Sequence, residues 1–496
     1  MMLLKPIKYT AIFSCLFLAL CANADSVRAI QWGDCAPSQF NNNPKYQCAK
    51  VTVPLDYRNP SIGVTTLAVV KYKKYDSASK PLFINAGGPW VSLSSESKAF
   101  EKFSDDIYKT FFIVYFDPRG VGLSESLHDC STQLPPVPGS IFESSNFKST
   151  FNNFQNNLSA CFQAESNPVK YYMSTENTAQ DMNTIRLAAG YNQISYIGSS
   201  YGTQLGSVYL SLYPNTVDKM ILDGNMNPAH QAQSLFTGSA AGYQKALNYL
   251  FDRCEQNPSC VLYPNPRQSY ALLLSHIESG SVVNQLNTSQ VILPQDFYNQ
   301  ISPMLMELDT YPLILDLIAD GLSTNAIPVM INLPTTITKE SLVYSAVMGG
   351  DYKKEGLEND ISALSFASQY WNQNSLSSYQ ILTSLPYSEN LLGCYNHLPN
   401  HPLPDLTYPS TINPVLIIGN YYDPTTVYSN SVAMNKIIPN SVLLSFNGAG
   451  HTALAYFTNA NYFSCIDNYA YQYLLTGVTP PPGTVCSALI DPSSLR

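Results

Sequence analysis

Residues 194–203 read Ile194-Ser195-Tyr196-Ile197-Gly198-Ser199-Ser200-Tyr201-Gly202-Thr203. A short apolar strand, Ile194–Ile197, runs straight into G-x-S-x-G, and a helical stretch from Thr203 to Leu212 follows. This is the strand–turn–helix setting of a nucleophile elbow, in which a sharp turn lifts a serine hydroxyl above the edge of a sheet. The glycines follow from the tightness of the turn, because a side chain at either flank would collide with its neighbours. The bare five-residue pattern is weak evidence, and its place between strand and helix is what gives it weight. The competing reading is a glycine-rich turn with no chemistry.

Working outward, short β-rich runs lie on both sides. Thr65–Tyr72, Leu82–Ala86 and Phe111–Phe116 precede the elbow, and Met220–Leu222, Pro414–Ile418 and Val442–Phe446 follow it. Apolar strands alternating with helical stretches imply an α/β protein whose mostly parallel central sheet is covered on both faces. The stretch from 231 to 405 differs. It holds helical patterns such as Gln244–Phe251 and Tyr311–Ile318, loops rich in Pro, Ser and Asn, and few strand signals. The expected organisation is a core over residues 25–230, an inserted and mainly helical cap over 231–405, and the rest of the core over 406–496.

A serine hydroxyl is a poor nucleophile unless a base takes its proton. In chains built on this elbow the acid and the histidine follow the serine in that order. Of the six histidines, His128 precedes Ser200, while His230, His276, His397 and His401 fall in or beside the insert. His451 alone lies beyond the last two strands, in the loop Gly448-Ala449-Gly450-His451-Thr452. The acid belongs on the loop after the preceding strand, where Asp423 stands; Asp405 precedes its strand and fits poorly. Each of the two has an ordinary reading, a loop histidine and a turn aspartate. Attack on a carbonyl also requires donors for the developing oxyanion. The backbone N–H of Tyr201, next after the serine, is one candidate. The loop Ala86-Gly87-Gly88-Pro89-Trp90 offers the other, and Gly88 is expected to donate since Pro89 has no N–H. The plain alternative is a Gly-Pro turn.

The ends of the chain speak to compartment. Lys5 and Lys8 precede an apolar run from Ala11 to Ala22, followed by Ala22-Asn23-Ala24. That is the order of a secretory signal over residues 1–24. The run is short for a membrane span, the alternative reading being an uncleaved anchor. Removal of the signal takes Cys15 and Cys21 with it. In an exported chain the remaining cysteines form disulfides, and sequence neighbours suggest Cys35–Cys48, Cys130–Cys161, Cys254–Cys260 and Cys465–Cys486, although spacing alone does not determine connectivity. Cys394 is left over, either a buried thiol or a nucleophile. No clustered His/Cys set exists for zinc. With 12% charged and 45% hydrophobic residues the chain is not disordered. A formal net charge of −9 with no basic tract speaks against a nucleic-acid partner.

Together these stretches resemble a family. Gly198–Thr203 with Leu205-Gly206, then Lys219–Gly224, is similar to the secreted tripeptidyl aminopeptidases, relatives of the prolyl aminopeptidases in the α/β-hydrolase superfamily. Asp117-Pro118-Arg119-Gly120-Val121-Gly122-Leu123-Ser124 resembles that family's D-x-R-G-x-G-x-S stretch. Asp181 to Arg186 resembles the segment before its elbow, Val53-Pro54-Leu55-Asp56 its early strand, and Pro414 through His451 to Cys486 its closing segment. The likeness covers most of 30–230 and 405–490 and is weak across the insert. Two departures stand out: Trp90-Val91-Ser92-Leu93 follows Pro89 where the family carries further glycines, and Gly349 or Gly350 stands before Asp351 where the family tends to carry a cysteine.

The resemblance implies an α/β-hydrolase fold and an exported serine peptidase, secreted or periplasmic, that needs no cofactor or metal. It would release short peptides or single residues from free N-termini through an acyl-enzyme. Ser200, Asp423 and His451 would form the triad, and Gly88 and Tyr201 the oxyanion hole. A substrate amine would need carboxylates from the insert, for which Glu307, Asp309 and Asp351 are candidates; each is also readable as an ordinary solvated acid. A peptide is the expected partner, with no stable membrane insertion once the signal is gone. The alternatives are an esterase acting on small acyl substrates and a non-catalytic binding protein on the same fold.

Overall fold

The computed structural model describes residues 28–36, 39–40, 43–92, 102–130, 144–229, 232–329, 337–352, 401–403, 405–454 and 460–487. The signal segment and Cys394 lie outside them.

The sheet residues form strands because they are runs of β-branched and aromatic side chains, buried on both faces at the centre. Phe111–Phe116 and Ile194–Ser199 are buried at every position. In chain order the strands are β1 (Gly33–Asp34), β2 (Tyr46–Pro54), β3 (Val64–Tyr72), β4 (Lys80–Asn85), β5 (Phe111–Phe116), β6 (Ile194–Ser199), β7 (Val217–Asp223), β8 (Val283–Asn284), β9 (Asn287–Val291), β10 (Ala326–Ile327), β11 (Val415–Tyr422), β12 (Ser441–Ala449) and β13 (Val485–Ser487). Ten of them make one sheet in the order β1-β2-β3-β5-β4-β6-β7-β11-β12-β13. From β5 to β13 neighbouring strands run parallel, whereas β1, β2, β3 and β5 pair antiparallel. Each strand expected from the sequence falls on an observed one, with single-residue overhangs at Ala86 and Pro414. Alternate residues feed two cores: Tyr196, Val415 and Ile417 enter one, Ile197, Leu416 and Ile418 the other. Each such side chain contributes about 1.5–3 kcal/mol on burial.

Eleven helices are described: α1 (Asp105–Thr110), α2 (Ser144–Ala164), α3 (Thr175–Ala188), α4 (Tyr201–Leu212), α5 (Ala232–Gln256), α6 (Pro266–Glu278), α7 (Pro294–Met306), α8 (Tyr311–Thr324), α9 (Lys339–Asp351), α10 (Tyr428–Ile437) and α11 (Ala460–Thr476). Helix α3 starts where Ser174 accepts from the Asn177 N–H, and α9 where Thr338 accepts from Ser341. Both are N-caps that satisfy an otherwise orphaned amide. Between β7 and β11 the chain leaves the main sheet for α5–α9 and a small sheet of β8, β9 and β10. Those strands are two to five residues long, too short for a periodic pattern to register.

The four disulfides suggested by neighbouring cysteines all form: Cys35–Cys48, Cys130–Cys161, Cys254–Cys260 and Cys465–Cys486. The D-x-R-G stretch is structural. Buried Arg119 forms a two-point pair with Asp181 of α3 and donates to the carbonyls of Pro54, Leu55 and Tyr172. It thereby joins the end of β2 to the helix that packs behind the elbow.

Candidate functional site

Strand β6 delivers Ser200 to the carboxyl edge of the sheet. The serine sits at φ 54° and ψ −123° as the residue capping α4. A non-glycine residue there carries strain of order 1–3 kcal/mol, which persists only where its surroundings enforce it. They do so through hydrogen bonds and close packing. The Ser200 N–H donates to the Asp223 carbonyl at 2.9 Å, and its own carbonyl accepts from the Thr203 hydroxyl at 2.6 Å. The flanking glycines are required as the sequence implied. A Cβ on Gly202 would lie 2.8 Å from Asn85 Oδ1, and one on Gly198 2.6 Å from the Tyr196 ring. Helix α4 is buried from Tyr201 to Leu210, as a helix that is packed on all sides must be.

The loop after β4 closes over the elbow. Gly87 approaches so tightly that a Cβ there would stand 2.7 Å from Ser200 Cβ. The Gly87 N–H is held by Asn85 Oδ1 at 3.1 Å. Trp90 turns onto α9, meeting the Tyr344 ring edge-on at 5.2 Å between centroids.

Strands β11 and β12 bring in the other two residues. Asp423 follows β11, and its side chain has no solvent exposure. His451 Nδ1 lies 3.1 Å from both Asp423 oxygens. The same carboxylate accepts from the Thr425 and Thr426 N–H groups, the Thr426 hydroxyl and the Thr452 N–H. Thr426 is a residue the sequence reading missed. Its hydroxyl bridges the pair, 2.9 Å from Asp423 Oδ2 and 3.3 Å from His451 Nδ1, and a threonine three residues after a loop aspartate carries no motif that marks it. Burial pulls the His451 pKa down, but the charge and hydrogen bond of Asp423, with Asp223 and Glu307 further off, outweigh it and raise the net value.

Among the described residues no hydrogen bond reaches the Ser200 hydroxyl. Asp223, at the end of β7, ties the elbow to the histidine loop. Its carbonyl holds Ser200, while its buried carboxyl accepts the N–H groups of Ala453 and Leu454. Desolvation pushes that carboxyl up to about 7. A Cβ on the next residue, Gly224, would touch Thr452, Thr426 and Asp423 at 3.0–3.4 Å, so the acid–histidine pair lies directly beside the elbow's anchor. Asn420 adds a clamp, donating to the carbonyls of Gly450 and Thr452 on either side of the histidine.

The three acids expected to meet a substrate amine separate into two groups. Glu307 and Asp309 follow α7 and are exposed. The His451 backbone N–H donates to the Met306 carbonyl at 2.8 Å, which sets Glu307 against the histidine loop; although the residue keeps an exposed edge, partial desolvation and the Asp309 charge raise its carboxyl, with the His451 charge opposing them. Asp351 is different. It is fully buried at the end of α9 and accepts from the Thr175 amide and hydroxyl and from Gln204. Both of its oxygens accept hydrogen bonds within the fold, which sets it apart from Glu307 and Asp309. The other described histidines stand apart from this constellation, His128 pairing with Glu165, His401 with the Tyr171 carbonyl, and His276 lying in the last turn of α6. A cavity of about 590 Å³ between α5 and α10 borders Asp423 but is lined by neither Ser200 nor His451.

The chain is similar to known proteins. The profile of the alpha/beta hydrolase fold family matches residues 80–457. Serine protease Hip1 of Mycobacterium tuberculosis is 26% identical over 494 residues, covering 92% of this chain and 91% of its own. The tripeptidyl aminopeptidase of Streptomyces lividans is 35% identical over 225 residues, 42% of this chain and 41% of its own. Among solved structures, the proline iminopeptidase of Mycobacterium smegmatis aligns with a TM-score of 0.37 at 14% identity, over 86% of this chain and 100% of that one. Among the described residues, no helix is long and apolar enough to cross a membrane and no group of His, Cys, Asp or Glu is placed to hold a metal ion.

Proposed function

The chain belongs to the alpha/beta hydrolase fold family, and from that premise we propose that it is an exported serine hydrolase acting as an aminopeptidase on short peptides. Ser200 Oγ attacks the carbonyl carbon next to the scissile bond and passes its proton to His451 Nε2. Asp423 holds the Nδ1–H and stabilises the imidazolium. The tetrahedral oxyanion takes hydrogen bonds from the Tyr201 and Gly88 N–H groups, placed before the charge develops. Collapse breaks the C–N bond, and the leaving amine takes the proton from His451. Water, deprotonated by the same imidazole, then hydrolyses the acyl-enzyme.

The observation that carries this reading is the His451–Asp423 pair beside a serine forced to φ 54°. Strain of that kind has no packing advantage and is concentrated at reactive sites. The peptidase part is supported by the two named relatives and by Glu307, next to the Met306 carbonyl that the His451 N–H meets; Glu307 and Asp309 would receive the substrate ammonium. Residues 231–405 act as the cap that supplies them. Export is supported by the signal-like N-terminus and by four disulfides, which persist in oxidising compartments.

The test is a fluorophosphonate probe together with matched substrates. Wild type is expected to be labelled and Ser200→Ala not, with both proteins folded. Free-amine peptide anilides are expected to be cleaved and their N-blocked counterparts spared. Undiminished labelling of Ser200→Ala removes Ser200 from its role. Equal cleavage of blocked peptides, or turnover of simple esters alone, replaces the aminopeptidase reading with an endopeptidase or an esterase.

A further inference from the structure

We propose that Asp351 is a positioning residue for the oxyanion hole, holding its two donor segments against one helix of the insert. This rests on the assignment of Gly88 and Tyr201 as the donors. Tyr201 supplies its backbone N–H at the first turn of α4, while its side chain runs the other way. Its hydroxyl lies 2.9 Å from Thr175 Oγ1. The Thr175 hydroxyl donates to Asp351 Oδ2, and the Thr175 amide, at the start of α3, donates to Asp351 at 3.1 Å. Gln204, one turn along α4 from the elbow, donates to the same carboxyl at 3.1 Å and accepts from the Tyr352 hydroxyl at 3.0 Å. A single carboxyl therefore fixes the first turn of the elbow helix and the first turn of α3 together.

The other donor segment meets the same helix. Trp90 follows Gly88 and Pro89, and its ring rests on Tyr344 of α9. Gly88 itself has φ +40°, and a Cβ there would lie 3.2 Å from the Trp90 ring. The loop conformation and the tryptophan are thus packed as a unit on the helix that ends in Asp351. Helix α9 sets the separation of two N–H groups that come from loops 113 residues apart in sequence (Gly88 to Tyr201). The departure at Trp90 then has a purpose: a large ring reaches α9 where a glycine would leave the loop without that contact. A fully buried carboxyl is costly unless its hydrogen bonds are specific, and here each points to a residue that shapes the elbow.

Misplacing a reacting geometry by about 1 Å costs on the order of 100-fold, and losing an oxyanion donor costs about 100- to 1,000-fold in kcat. The experiment compares wild type, Asp351→Ala, Asp351→Asn and Tyr201→Phe. It measures kcat and KM on a free-amine peptide anilide per fluorophosphonate-titrated site, Ki for a peptide boronate, and thermal stability. The boronate bonds to Ser200 Oγ and places an oxygen where the oxyanion forms. Asp351→Ala is expected to lower kcat about 30- to 100-fold and weaken the boronate in parallel, with KM within about threefold. Asp351→Asn, which keeps an acceptor for Thr175, is expected to recover most of the loss. Tyr201→Phe, which keeps the backbone donor and removes only the link, is expected to fall about tenfold without a change in melting. Unchanged kcat and Ki per titrated site in Asp351→Ala, with only the melting lowered, would overturn the proposal. So would a rise in KM for free amines at constant kcat, which returns Asp351 to amine binding. Should Asp351→Ala not fold, unchanged kcat and Ki in Tyr201→Phe overturn it equally. Failure of wild type to take the probe is a separate result and removes the serine hydrolase reading on which this rests.

Discussion

Asp423→Asn is the substitution whose effect the site geometry sets most closely. The carboxylate has no solvent exposure, and Oδ1 accepts the Thr425 and Thr426 amides at 2.8 Å. An asparagine oxygen can keep those two. Its NH2 must then occupy the Oδ2 place, facing the Thr426 hydroxyl, the Thr452 amide and His451 Nδ1. The hydroxyl can turn and accept; the Thr452 amide cannot, and a buried amide without a partner costs about 1–3 kcal/mol. His451 Nδ1, 3.1 Å from both positions, loses its charged acceptor and gains a donor facing it at one of them, which favours the tautomer with its proton on Nε2. That tautomer cannot receive the Ser200 proton. The expected loss is about 10⁴-fold in kcat, or about 5.5 kcal/mol of barrier, with KM nearly unchanged. The assay is steady-state turnover of a free-amine peptide anilide, with a circular dichroism melt to register the smaller folding loss. A variant that is folded and within tenfold of wild-type kcat would refute Asp423 as the group that orients His451.

The remaining expectations concern pH, packing and substrate binding. A working base must be neutral, and the His451 pKa stands above its ordinary 6.5; kcat/KM should therefore fall as pH drops through a value above 6.5, and Glu307→Gln, which removes one of the charges raising it, should move that limb to lower pH in a pH–rate profile. Gly87→Ala places a methyl 2.7 Å from Ser200 Cβ at φ +102°, so labelling by a fluorophosphonate should fall at least tenfold while far-ultraviolet circular dichroism stays native. If Glu307 and Asp309 receive the substrate ammonium, Glu307→Gln with Asp309→Asn should raise KM about tenfold for free-amine peptides, the worth of exposed charge pairs, and leave simple ester turnover unmoved at pH values above the His451 limb. Replacing Cys465 and Cys486 by serine opens a loop of 21 residues in sequence separation, and urea denaturation should show a loss of about 3 kcal/mol.

Local sequence alone determined a good part of this protein. The apolar run Phe111–Phe116 and the short run Ile194–Ile197 read as buried strands because they are brief, rich in β-branched and aromatic residues and bounded by turn residues. The Gly198–Gly202 turn followed from steric limits that act within five residues. The order serine, acid, histidine singled out Asp423 and His451, since strand ends in a parallel sheet collect at one edge. Neighbouring cysteines paired because short loops bring them together at low entropic cost. What escaped the sequence depends on contacts between residues far apart in the chain. Thr426 matters only because β12 carries His451 back to within 3.3 Å of it. Asp223 matters because its carbonyl and carboxyl face two loops at once. Asp351 is an acid like Glu307 in sequence, and solvation separates them: one stands exposed at the histidine loop, while the other is buried by α3 and α4, which lie about 150 to 175 residues away along the chain. Residue type set the chemistry each group can perform, and only the packing of distant elements decided which of them meets water.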